Sequence, residues 1–252
     1  MKRFFRIAGF SLVALAVAGV IGFWVFARSR HAEPAAEALA ALASDDLVAV
    51  EDNEYLVYRP VAQPPRMGIV FYPGAGCDVR GYAQVLRRIA SAGFLVVQVR
   101  MPLEFAFLAP NAASDVLPAF PEINRWAIIG HSLGGAMAGQ YVSSNPDAMR
   151  GLVIWDSFPP PGNRLAEFKG SIWHIHRATM EGAPPDFFDK NRNKFPDTTR
   201  WVPIKGGIHM FFGAFVGGAY KEEWIPEITR SRQHDLVVLA TLEALSAIET
   251  AG

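Results

Sequence analysis

The stretch that most limits what this chain can fold into runs from Arg125 to Met137, Arg-Trp-Ala-Ile-Ile-Gly-His-Ser-Leu-Gly-Gly-Ala-Met. An apolar β-type run enters it, and a helix-compatible run, Gly135 to Ser144, leaves it. Between them lies Gly130-x-Ser132-x-Gly134, the pattern of a sharp strand-to-helix turn that lifts a serine hydroxyl clear of a sheet. The serine backbone at such a turn is strained, and side chains in place of the flanking glycines would collide with the strand or the helix. The helix that follows aims its first amides at the place where an oxyanion would form. The pentapeptide recurs by chance, so its weight comes from the strand before it and the helix after it.

The 252 residues are 51% hydrophobic. With the N-terminus set aside, about 220 remain, enough for one α/β domain with a sizeable core. The formal net charge is zero, so the chain carries no electrostatic footprint for nucleic acid. A single cysteine, Cys77, excludes an intramolecular disulfide.

Residues 1–30 read as an N-terminal membrane anchor or signal segment. Met1 to Arg6 is basic, and Ile7 to Phe26 carries no charge. As a helix those residues would span roughly 30 Å, a bilayer core. Trp24 sits where an interfacial aromatic is favoured, and Arg28 and Arg30 end the run. The alternative is a cleaved signal peptide, but the run is long for one and no small-x-small site follows. Lys2, Arg3 and Arg6 outnumber Arg28 and Arg30, so the expectation is a single-pass membrane protein with its domain extracytoplasmic. Residues 31–46 read as a linker with a short Ala/Glu-rich helix, and 47–252 as the domain.

In that domain, Leu47 to Val50 and Tyr55 to Tyr58 read as an opening antiparallel pair. Strands then alternate with helices: Met67 to Tyr72, Phe94 to Arg100, Trp126 to Ile129, Leu152 to Trp155, Ser171 to Ile175 and Trp201 to Lys205 as strands, and Val79 to Ala92, Asn111 to Phe120, Ala136 to Ser144, Asp186 to Lys194 and Gln233 to Ile248 as helices. Continuous apolar strands separated by helices predict a mostly parallel sheet with helices on both faces. The short Pro-rich stretch between Trp155 and Ser171 leaves no room for a lid domain, so the site is expected to be open and shaped by loops.

A serine hydroxyl needs a base, a group that orients the base, and donors for the oxyanion. Of six histidines, His209 stands just beyond the last predicted strand in a glycine-rich loop, after the serine, and is the expected base. His131, inside the turn, points the wrong way to help its neighbour. For the acid, Glu181 lies in the loop after the penultimate strand, the usual place, and is preferred. Asp156, after the strand before it, is the alternative. Either carboxylate would hold the imidazole tautomer. The expected oxyanion donors are the amides of Leu133 and Ala75, the latter in Pro73-Gly74-Ala75-Gly76-Cys77. Cys77 reads as a pocket-wall or buried thiol. Met210 to Tyr220 reads either as a mobile apolar wall or as a loop packed on the core.

Taken together, Phe71-Tyr72-Pro73-Gly74, Arg100-Met101-Pro102-Leu103, Ala106 to Ala113, Gly130 to Ala138 and Gly206 to Gly213 resemble the compact, lidless α/β-hydrolases related to dienelactone hydrolase, especially bacterial members with an N-terminal membrane anchor. The resemblance covers residues 54 to 248. It implies the α/β-hydrolase fold, a Ser132 nucleophile and a His209 base. The family's acid turn, Gly-x-x-Asp-Gly, is replaced here by Ala178-Thr179-Met180-Glu181-Gly182, and Ile208 stands where an asparagine is common. The expected activity is a serine hydrolase cleaving carboxylic esters through an acyl-enzyme, needing no metal and no organic cofactor. The alternatives are a thioesterase, lactonase or amidase with the same site, or a non-catalytic binding protein on a hydrolase fold. The expected partners are a small-molecule ester-type substrate and a membrane, with no nucleic acid and the oligomeric state left open.

Overall fold

The apolar runs Gly68–Tyr72, Leu95–Gln98, Trp126–His131 and Gly151–Trp155 are buried throughout in the computed structural model, which describes residues 2–163 and 165–251, with side chains from residue 13 onward. In chain order the elements are α1 (Lys2–Ser29), β1 (Ala32–Pro34), α2 (Ala36–Ala40), β2 (Val48–Asp52), β3 (Leu56–Pro60), β4 (Gly68–Tyr72), α3 (Ala83–Ser91), β5 (Leu95–Gln98), α4 (Ala113–Ala119), β6 (Trp126–His131), α5 (Leu133–Ser144), β7 (Gly151–Trp155), β8 (Ser171–Ala178), α6 (Asp189–Arg192), β9 (Arg200–Lys205), β10 (Phe215–Gly217) and α7 (Arg230–Thr250). Eight strands form one sheet in the order β2-β3-β5-β4-β6-β7-β8-β9. β2, β3 and β5 pair antiparallel, and every pairing from β5 through β4 to β9 is parallel.

Two apolar layers flank this sheet. One gathers Ile69, Phe71, Ile129 and Trp155 with α3 and α7. The other gathers Val70, Tyr72, Ile128 and Ile154 with α4 and α5. Alternate residues of one strand serve opposite layers, as period-two geometry requires. Thr229 caps α7 by accepting from the Arg232 amide at 3.2 Å. The chain leaves β4 toward β5 on one side and returns to β6 on the other. The carboxyl ends of β4 and β6 therefore open a crevice at a topological switch point, where ligands of such sheets bind.

The strands and helices predicted after residue 47 are present with shifted ends. The N-terminal reading requires a correction. α1 extends from Lys2 to Ser29, yet among the described residues no helix is long and apolar enough to cross a membrane. The single-pass and extracytoplasmic expectation is not upheld. The reason lies in how the helix ends. Phe23 and Phe26 pack against Phe105 with ring centroids 5.9 and 6.2 Å apart, the first tilted and the second stacked, and Ala27 is buried. Its last turns are thus spent on the domain. The charge-bias expectation for Lys2, Arg3 and Arg6 lies outside the described side chains.

The expected linker is also more than a linker. β1 pairs antiparallel with β10, Ala32 opposite Gly217 and Pro34 opposite Phe215. On its other edge the Ala32 amide donates to the Gly76 carbonyl at 2.7 Å, and the Asp78 amide donates to the Ala32 carbonyl at 3.2 Å. Residues 32–34 thus strap the loop after β4 to the loop after β9.

Candidate active site

Ser132 sits at the turn between β6 and α5 with φ 53° and ψ −125°. This conformation costs a non-glycine residue about 1–3 kcal/mol and persists because the surroundings fix it. The Ser132 amide donates to the Trp155 carbonyl at 3.1 Å, which ties the turn to β7. The glycines meet their predicted need: a Cβ on Gly130 would run into the Gly134 backbone, and one on Gly134 into the Tyr72 and Pro73 carbonyls.

His209 follows β9 at the start of a short 3-10 turn, and its ring is buried. Its Nδ1 lies 2.6 Å from Oδ2 of Asp156, which is 5% exposed at the end of β7. Nδ1 therefore carries the hydrogen and donates to the carboxylate, which leaves Nε2 as the free basic nitrogen. Arg177, on β8 and 1% exposed, pairs with the same carboxylate through Nη1 and donates its own amide to Oδ1 at 3.2 Å. Its guanidinium also lies 3.1 Å from Nδ1 of His209. Both groups are donors there, so this is a contact of neighbours around one carboxylate. Burial alone would raise the Asp156 pKa, but the hydrogen bond from His209 and the charges of His209 and Arg177 outweigh it, and the carboxyl is held well below its usual range. Asp156 is therefore an anion at neutral pH.

Glu181 does not reach this cluster. It is exposed at the tip of a turn closed by the Thr179 and Ala183 backbones, and its charge faces Thr179 and Lys205. The physical reason is topological. Asp156 leaves β7 with φ 50°, a left-handed turn that aims its side chain at the histidine loop, whereas β8 runs on to Ala178 and delivers Arg177 to that place, and Glu181 lies beyond it. The structure therefore brings together Ser132, His209 and Asp156, the alternative carboxylate, and leaves out Glu181.

Ser132 and His209 line one cavity of about 230 Å3, together with Phe26, Phe105, Met210 and Tyr220. No hydrogen bond joins Ser132 to His209 among the described residues; such contacts often close only around a substrate. Ala75 and Cys77 line the same cavity. In the loop after β4 the Gly74 amide donates to the Tyr82 hydroxyl, the Gly76 amide to the Glu104 carbonyl and the Cys77 amide to the Gly74 carbonyl. Among the described residues the Ala75 amide has no acceptor. Leu133 opens α5, so its amide lacks the intrahelical partner found four residues back. Both expected oxyanion donors are thus unspent. Burial pushes the Cys77 thiol up to about 12, which keeps it protonated and unreactive.

Several residues around the site escaped the sequence reading. His131 does point away from Ser132, but it is not idle. Its Nε2 donates to the His209 carbonyl at 3.1 Å, and its Nδ1 accepts from the Tyr82 hydroxyl at 2.7 Å. Tyr82 accepts in turn from Gly74. This buried chain ties the serine turn, the oxyanion loop and the histidine loop together, and burial holds His131 neutral. Glu222 accepts from the amides of His209 and Met210 at 3.1 and 2.6 Å, and Tyr220 stacks on the His209 ring at 4.3 Å. The segment from Met210 to Tyr220 is therefore partly core, through Phe212 and Phe215, and partly cavity wall. A charge at the carboxyl end of an apolar strand was the available signal for Arg177; Glu222 offered none.

As to metals, His31, Asp78 and Glu104 bring three possible ligand atoms within 4.8 Å of one another. Glu104 is held by His31 at 2.9 Å and Asp78 by Arg80 at 2.6 Å, so the His31–Glu104 hydrogen bond ties the end of α1 to the loop after β5.

Residues 68–235 match the model of the alpha/beta hydrolase family. No curated protein matches the chain. Among solved structures, Est1E from Butyrivibrio proteoclasticus superposes with a TM-score of 0.54 at 11% identity, covering 79% of this chain and 99% of that one. TT1662 from Thermus thermophilus gives 0.52 at 14% identity, covering 79% and 98%. A monoacylglycerol lipase from Paleococcus ferrophilus gives 0.50 at 14% identity, covering 72% and 96%. At these identities the likeness is one of fold.

Proposed function

This chain belongs to the alpha/beta hydrolase family, and on that premise we propose that it is a serine hydrolase cleaving carboxylic esters, with Ser132 as nucleophile, His209 as general base and Asp156 as the acid that orients it. The observation that carries the reading is the 2.6 Å pairing of His209 Nδ1 with buried Asp156, in a histidine that shares its cavity with the strained Ser132. The motif blocks that resemble the compact dienelactone-hydrolase-like branch support the same reading.

In this mechanism Ser132 Oγ attacks the ester carbonyl carbon while Nε2 of His209 takes the hydroxyl proton. Asp156 stabilises the imidazolium and stays ionised throughout. The amides of Leu133 and Ala75 hold the oxyanion, a contribution of about 3–4 kcal/mol per donor in comparable sites. The tetrahedral intermediate collapses, the C–O bond to the alcohol breaks, and His209 returns its proton to the departing alkoxide. A water then attacks the acyl-enzyme, giving its proton to Nε2, and Ser132 leaves with that proton as the free acid is released.

Hydrolysis of p-nitrophenyl esters by the full chain tests this directly. Wild type turns them over, and Ser132→Ala loses activity by a factor of about 10³ or more. Equal rates for the two would overturn the assignment.

A further inference from the structure

Asp156 does not serve the histidine alone. Its Oδ2 accepts from His209 Nδ1 at 2.6 Å and also from Arg177 Nη1, and its Oδ1 accepts from the Arg177 amide at 3.2 Å. Both side chains are buried. Arg177 arrives at the carboxyl end of β8, the strand whose following loop was the expected source of the acid. Its guanidinium carbon lies 5.7 and 5.4 Å from the ring centres of Phe187 and Trp224, and its Nη2 lies 3.1 Å from half-exposed Glu223. Among the described residues its Nε has no hydrogen-bond partner. A buried cation with an unsatisfied N–H is a costly brace for a fold, since a well-packed apolar arrangement often serves stability as well or better. The placement points to the chemistry instead.

During turnover His209 alternates between neutral imidazole and imidazolium. With Asp156 as its only charged neighbour, the imidazolium would complete a neutral pair. With Arg177 in place, the neutral imidazole already belongs to a balanced cluster. Protonation then adds a net positive charge 3.1 Å from a guanidinium nitrogen. A like charge at that range, away from water, disfavours the protonated form. Among the described residues, the other groups around the ring supply no uncommitted buried anion. His131, from the end of β6, is held neutral by burial, and burial pushes the Tyr220 hydroxyl up to about 12. Glu222 spends its oxygens on the amides of His209 and Met210, and Glu223 pairs with Arg177 where water screens it.

We infer that Arg177 is a positioning residue that keeps His209 free of its proton in mildly acidic solution, by taking up part of the charge with which Asp156 would otherwise stabilise the imidazolium, and so extends ester turnover to lower pH. This rests on the reading of Ser132, His209 and Asp156 as nucleophile, base and acid, and adds a working range to that site. The base must be neutral to act, so activity is lost as pH falls, and the arginine moves that loss downward.

The test is the pH profile of kcat/KM for p-nitrophenyl butyrate, measured with the full chain and with folding checked by circular dichroism at each pH. Arg177→Gln keeps a donor for Asp156 and removes the charge. Its acid limb should move up by about one pH unit or more, with the plateau above it retained. Arg177→Lys keeps the charge and should hold the limb near its wild-type position. Glu223→Gln strips the arginine of its second carboxylate and should move the limb the other way, by a smaller amount. A limb that stays in place in folded Arg177→Gln, while activity falls alike at every pH, would overturn the role and leave Arg177 a brace for Asp156. If Arg177→Gln does not fold, Glu223→Gln decides, and a limb that fails to move downward there overturns the proposal. No turnover by folded wild type and no fluorophosphonate label on Ser132 would instead overturn the hydrolase reading beneath it.

Discussion

Asp156 concentrates the residue-scale argument. A carboxylate that is 5% exposed is tolerated only when its charge is matched, and here an imidazole N–H, a guanidinium and a backbone amide all converge on it. Asp156→Asn keeps the shape and removes the charge. The amide can present an N–H to Nδ1, which favours the wrong imidazole tautomer, and kcat should fall by about 10⁴. The same change leaves buried Arg177 with only the half-exposed Glu223, 3.1 Å away, as a carboxylate partner among the described residues, so stability should drop by up to about 3 kcal/mol. Glu181→Gln alters an exposed turn and should move neither quantity. Ester turnover and urea unfolding of the two variants, side by side, check both expectations. A loss in Glu181→Gln matching that of Asp156→Asn would return the acid to the loop after β8.

Element by element, β8 is the strand whose contents most exceed what its pattern announces. His174 and His176 are both buried, in an aromatic layer with Phe188 and Trp201. Burial pushes their pKa values down, to about 3 for His174 and about 4 for His176. In the unfolded chain both would titrate near 6.5. The folded values lie lower, so below pH ~6.5 the unfolded state binds the extra protons. The stability these groups provide is complete above that pH and is lost as pH falls toward 4. Each group can contribute a slope of up to about 1.4 kcal/mol per pH unit. Urea midpoints measured from pH 7 to pH 4 should fall, and His176→Phe should flatten the fall. An unchanged slope in that variant would show that other groups control the acid limb.

How much of this was legible depended on the range of the signal. The parallel strands, the Gly130–Gly134 turn and His209 were written in local patterns of apolar runs, glycines and chain order. The acid was not, because the choice between Asp156 and Glu181 depends on a left-handed turn at Asp156 and on Arg177 arriving from the next strand. The strap of β1 against β10 joins two three-residue strands some 180 residues apart, too short for any periodicity to announce. The apolar run from Ile7 to Phe26 reads as a membrane span in the sequence, and its packing on Phe105 is a long-range contact that no local pattern announces.

Across the whole molecule, the parallel strands deliver a serine, a carboxylate and a histidine to one edge of the sheet from β6, β7 and the loop after β9. Their carboxyl ends meet where the strand order reverses, and the buried chain Gly74–Tyr82–His131–His209 locks the three loops to each other. The N-terminal helix then closes one side of the resulting cavity. The claim on which all of this turns is that Ser132 is chemically activated by that assembly. Its most direct test is to label the full chain with a fluorophosphonate and locate the adduct by peptide mass spectrometry. The account predicts a single adduct on Ser132, absent from Ser132→Ala and formed far more slowly in His209→Ala. A folded wild-type protein that takes up no label, or a label that persists in Ser132→Ala, would contradict it.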